Sequence, residues 1–77
     1  MDVRNIRKMP LSLMNVGTRQ RIKAIKGNDS VRRHLGSLGF TEGAVVEIVS
    51  ETNGNLILAV MGSRVAIDKD LARRILV

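Results

Sequence analysis

Cysteine, tryptophan and tyrosine are absent from this chain, and phenylalanine, histidine and proline each occur once. Without cysteine there is no disulfide, no Cys-rich zinc site and no thiol nucleophile, so a metal-free hydrophobic core has to hold the fold. Seventy-seven residues make one domain, and at that size only roughly 60% of the unfolded surface is buried. The sole histidine, His34, has no second histidine at ligand spacing and no HExxH around it, and it is expected as an exposed helical side chain. Phe40 is the only aromatic residue, which removes the stacking platforms of single-strand recognition and the aromatic groove that binds proline-rich peptides. Its place at a helix end predicts a core position. No Gly-Lys-Ser/Thr opens a helix, so a Walker phosphate loop is excluded. Glu42, Glu47 and Glu51 fall in or beside a strand, where cross-strand pairing with basic groups is expected rather than an acid/base couple. No enzyme is expected from this inventory. The opening "MDVRNIRKMP" has no apolar stretch of signal-peptide length, and no run approaches the ~20 apolar residues that span a bilayer; the cytoplasm is the expected location.

What the chain does have is positive charge, +6 in all with an isoelectric point near 11.2. Residues 1–40 hold nine basic groups against two acidic ones, a balance of +7, whereas residues 41–77 hold four against five, a balance of −1. An excess of this kind draws anionic partners: nucleic acid, a cytoplasmic membrane leaflet or an acidic protein face.

The hydrophobic pattern is mostly that of strands. Residues 1–9 read as a lead or tail and 10–77 as the domain, entered through Leu11, Leu13, Met14 and Val16. In "RQRIKAIK" the apolar residues break a two-residue alternation, and a bulged strand would let Ile22 and Ile25 face one core. "NDSVRRHLGSLGF" then predicts a short helix, with N-cap oxygens on Asn28, Asp29 and Ser30 and with Val31, Leu35 and Leu38 on one face. Gly39 fits the left-handed position after the helix, and Phe40 folds back on Leu35. Gly36 is a misfit inside a helix and is expected to permit close backbone packing or to mark a local weakness. "AVVEIVSE", "LILAV" and "RVAI" alternate and are separated by turn signals at Asn53-Gly54 and Gly62-Ser63, which is a three-stranded meander. Asp68 can cap a last helical turn or two over "KDLARRIL", with a final short strand at the end. A meander this small has to curl and close. The predicted fold is mainly β: a small SH3-like barrel with a short helix between the first and second strands and a short C-terminal helical turn.

"VRRHLGSLGFTEGAVVEIV" followed by "GNLILAVMGSRVAIDKDLARRILV" closely resembles the FeoA family of small ferrous-iron transport proteins, from about Pro10 to Val77. "LGFTEG", "VVEI", "GSRVAID" and "LARRILV", in this order and spacing, carry the resemblance. It implies an SH3-like barrel and a non-enzymatic accessory role beside FeoB, a membrane Fe(II) transporter with a cytoplasmic GTP-binding domain. Family descriptions attach transition-metal binding to the domain, but no ligand set is recognisable here, and transient Fe(II) or another divalent metal is left without named ligands. The barrel also resembles the C-terminal domain of DtxR-type iron-dependent repressors, whose separate helix-turn-helix domain has no counterpart in this chain. Arg32, Arg33, Leu38, Gly39, Phe40 and Arg64 are the candidate partner-docking residues, against the plainer reading that Leu38 and Phe40 are core, Gly39 a cap and the arginines solubilising. The expected partner is the cytoplasmic region of a FeoB-type transporter, with an anionic membrane surface and a second copy of the chain at an open sheet edge also in play. The alternative is a small basic barrel that binds nucleic acid or regulates as a detached repressor domain.

Overall fold

The computed structural model describes residues 8–77. In chain order these form a 3-10 turn at Leu11–Leu13, β1 (Arg19–Arg21), β2 (Ala24–Ile25), α1 (Asp29–Ser37), β3 (Val45–Thr52), β4 (Asn55–Val60), β5 (Ser63–Asp68), α2 (Lys69–Ala72) and β6 (Ile75–Leu76). One sheet has the order β1-β3-β4-β5 and the other pairs β2 with β6, all antiparallel. Two-residue alternation decides which face of the larger sheet turns inward. Val46 and Ile48 of β3, Leu56, Leu58 and Val60 of β4 and Ile67 of β5 are all buried. They meet Leu11, Ile22, Leu35, Phe40, Ala72, Ile75 and Val77, contributed by the remaining elements, in one cluster. The smaller sheet closes the far side. There Met9 and Val77 exchange main-chain hydrogen bonds of 2.9 and 2.8 Å, and Pro10 bridges Leu76.

The segment "RQRIKAIK" departs from the predicted bulged strand. β1 ends at Arg21, Ile22 turns fully inward, and the chain changes sheets before β2. Main-chain bonds fix the corner: Ile22 N–H to Ala44 O and Gly43 N–H to Ile22 O, each 2.8 Å, on the first sheet's side. On the other side Lys23 N–H donates to Leu76 O at 2.8 Å. One predicted strand is therefore two, which is how strands turn corners between packed sheets. As a result the helix follows the second strand instead of lying between the first and second. The register irregularity of this barrel sits in β3, between Ile48 and Ser50.

α1 is capped by Asn28, whose Oδ1 accepts from Val31 N–H at 2.9 Å. It ends in a Schellman motif: Phe40 N–H donates to Leu35 O and Gly39 N–H to Gly36 O, both at 3.0 Å, with Gly39 at φ 103°. Leu35 is buried, while Val31 and Leu38 pack on the core only partly. α2 is one turn, capped by Asp68 Oδ1 at 2.8 Å from Leu71 N–H. It is shorter than "KDLARRIL" because Ile75 and Leu76 are drawn into pairing with Ile25 and Ala24.

Gly36 is not a packing glycine, since a Cβ added there would meet no atom within 4 Å beyond its own turns of helix. The local weakness is what remains of the two readings. Gly36→Ala is expected to raise unfolding stability by on the order of 1 kcal/mol in urea titration. Gly39→Ala should lower it by about 1–2 kcal/mol, because the left-handed backbone penalises any Cβ.

Candidate functional site

The exposed face of α1 and the turn after it form one concave surface. Arg32 and Arg33 are exposed there and, with Gly36, Phe40 and Glu42, line a groove of about 480 Å³. Of the six residues singled out from sequence, the two arginines line this groove. Phe40 contributes to its wall but is 1% exposed and belongs to the core. Leu38 and Gly39 are half-buried, one packed against the core and the other holding the helix cap. Arg64 is elsewhere: it lies in β5 directly opposite Ala59, on the outer face of the larger sheet. The structure thus sorts the six residues into two places.

That outer face has its own pattern. Strand register sets Arg19, Glu47, Ala59 and Arg64 in a row across all four strands, with Arg21 opposite Val45 in the same outward orientation one pair along. Arg21 Nη1 donates to Gly43 O at 2.8 Å, which ties one arginine down. A groove of about 350 Å³ is lined by Arg19, Val45, Glu47, Ala59, Val60 and Met61. Met61 is 76% exposed, the largest exposure among the large apolar side chains described.

The Gly62-Ser63 signal points to a turn one residue too late and so leaves Met61 outside the candidate residues. Ser63 is the first residue of β5, opposite Val60, and the two-residue turn is Met61-Gly62 at φ 51° and 79°. Both central residues of such a turn need positive φ, which favours asparagine and glycine. The other hairpin uses Asn53-Gly54, at φ 36° and 87°. A methionine held in the left-handed region costs roughly 1–2 kcal/mol and, so exposed, recovers little by burial. A methionine next to a turn glycine was the signal available.

A third groove, about 390 Å³, is lined by Lys26, Asp70, Arg73 and Arg74. Arg73 pairs with Asp70 at 3.0 Å, and Lys69 with Glu51; both pairs are exposed and worth little in stability. His34 is exposed on α1 as expected, and its carbonyl accepts from Ser37 Oγ. Among the described residues no three His, Cys, Asp or Glu side chains come together as a metal site, so no chemistry is assigned to a bound ion. No helix among them is long and apolar enough to cross a membrane.

The FeoA domain family model matches residues 9–77. A relative named Fe(2+) transport protein A, from Methanocaldococcus jannaschii, is 29% identical over 68 residues, covering 88% of this chain and 83% of its own. Among solved structures, an iron uptake regulatory protein (FeoA) superposes with a TM-score of 0.83 at 37% identity, covering 91% of this chain and 93% of that one. Stenotrophomonas maltophilia FeoA, solved with zinc and described as a procaryotic SH3 domain protein, superposes with a TM-score of 0.76 at 27% identity, over 87% of this chain and 86% of that one. The barrel is SH3-like. A manganese-dependent transcriptional repressor shares the fold, at TM-score 0.83 and 16% identity, over 91% of this chain and 40% of its own.

Phe40 separates packing from docking. Phe40→Ala is expected to cost about 3–5 kcal/mol, visible as a collapse of the thermal unfolding midpoint, whereas Arg33→Ala should leave that midpoint within a degree or two.

Proposed function

This chain belongs to the FeoA family, and from that premise we propose that it is a non-enzymatic, cytoplasmic accessory protein of ferrous-iron transport that docks on the cytoplasmic part of a FeoB-type membrane Fe(II) transporter. The observation that carries the reading is the family match, which runs through the whole barrel from residue 9 to 77. Relatives named for Fe(2+) transport and iron uptake support it. The functional unit is residues 10–77, preceded by a short lead. Ferrous iron is the transporter's cargo in this reading, and this chain's part is to recognise the transporter. The exposed arginines of α1, which line a groove, are suited to an acidic face of the transporter, and a net charge of +6 speeds encounter with such a face or with the anionic leaflet beside it. The repressor-type and nucleic-acid readings rest on a fold shared at 16% identity and on charge alone.

Titration of the full chain against the cytoplasmic region of the cognate transporter tests the proposal. Wild type is expected to bind, and an Arg32→Glu, Arg33→Glu variant to bind roughly tenfold more weakly, with most of the change in the association rate and its salt dependence. Equal binding by the variant would remove the arginine contact. Failure of wild type to bind, together with steeply salt-dependent binding to an oligonucleotide, would replace the proposal with the nucleic-acid reading.

A further inference from the structure

We propose that the outer face of the β1-β3-β4-β5 sheet, at the β4–β5 hairpin, docks an acidic extended protein segment that carries one apolar side chain. The inference rests on the docking reading above and names the chemistry that the partner would present. Its first support is Met61. Folding alone favours asparagine at this turn, as the chain itself shows at Asn53-Gly54, yet the residue here is an apolar one in the left-handed region with 76% of its surface in water. Val45, beside it in the groove, is also exposed, at 37%. An exposed apolar side chain on a strained turn, next to a second one, is what a binding surface requires and a folding core does not.

Charge supplies the second support. Arg19 and Arg64 end the row that crosses the sheet, Glu47 is the one carboxylate within it, and Arg21 lies one pair along. The face is therefore net positive, and neither Arg19 nor Arg64 has an ion pair among the described residues. A segment with carboxylates on either side of an apolar anchor would place the anchor between Met61 and Val45 and its charges toward the two arginines. A second copy of this chain, itself at +6, would bring like charge to like. A membrane would engage the hairpin tip alone, whereas the groove also takes in Arg19, Val45 and Glu47 of β1 and β3.

The test uses the full chain with methyl labelling of Met, Val and Ala. The probes are a short synthetic peptide of aspartate and serine with one central leucine, the same peptide with serine in place of leucine, and phosphatidylglycerol–phosphatidylethanolamine vesicles. The leucine peptide is expected to shift the Met61, Val45 and Ala59 methyl signals and to bind roughly tenfold more tightly than its serine counterpart. Met61→Asn should melt at a higher temperature than wild type yet lose that tenfold preference, so weakened binding cannot be ascribed to unfolding. Arg64→Glu should weaken both peptides. Equal affinity for the two peptides, shifts centred on α1, or vesicle binding through Met61 without a peptide response would overturn the proposal. Transporter binding that survives Met61→Asn unchanged would overturn this surface and leave the docking reading standing. Peptide binding as described, with no binding to the transporter, would support the surface and overturn the docking reading instead.

Discussion

Gly39 is where the helix, the core and the outer surface of this barrel meet. Its left-handed backbone, at φ 103°, lets Phe40 N–H reach back to Leu35 O, ends α1, and turns the chain's one aromatic ring into the core. A residue with a Cβ would be strained there and would also stand 3.3 Å from Met61 Cγ. In a small domain without disulfides, Phe40 is the largest buried side chain, and its placement follows from one dihedral angle. The same turn delivers Gly43 and Ala44 to Ile22, so the corner between the sheets is secured by the residues that immediately follow the cap. Cap, corner and core are thus consecutive consequences of a single reversal.

Local rules made part of this legible in the sequence. The Asn28 cap, the Schellman ending, the Asn53-Gly54 turn and the inward set Val46, Ile48, Leu56, Leu58 and Val60 all depend on residues within a few positions of one another, and each is found where pattern places it. The division of β1 from β2 was not legible in this way. It depends on Ile22 finding its main-chain partners at Gly43 and Ala44, about twenty residues on, and Lys23 finding Leu76. Alternation reports which side chains are apolar, and a bulge and a sheet-changing corner disturb it alike. The shortening of α2 has the same origin, since Ile75 satisfies a helical spacing as well as a strand pairing and the distant partner Ile25 decides between them.

The candidate surface divides along similar lines. That Arg32 and Arg33 point away from the apolar face of α1 follows from helical spacing, and they are exposed. That Arg64 lies apart from them, in a row with Arg19, required the register of three strand pairs. Met61 was hidden by a turn rule. Glycine and serine at 62 and 63 are common hairpin residues, so a methionine in the first central position is the alternative that propensity ranks lower. Where local preference fails against the structure without a packing reason, function is the better place to look for the cause.

The distribution of charge bears on how such a domain could recognise anything. Among the described residues, the basic groups of the first half do not gather on one face: Arg19 and Arg21 lie on the sheet, Lys26 lines a groove with Arg73 and Arg74, and Arg32 and Arg33 stand on α1. At physiological ionic strength the field of each cluster fades over about 8 Å, so scattered charge attracts an anionic partner from several directions and orients it poorly. Orientation then has to come from contacts that act only at short range. Exposed features of that kind on this barrel include its grooves and a methionine kept out of the core by its own turn. A partner docked as proposed would divide encounter and register between two kinds of residue, the arginines bearing chiefly on association rate and the hairpin tip on residence time.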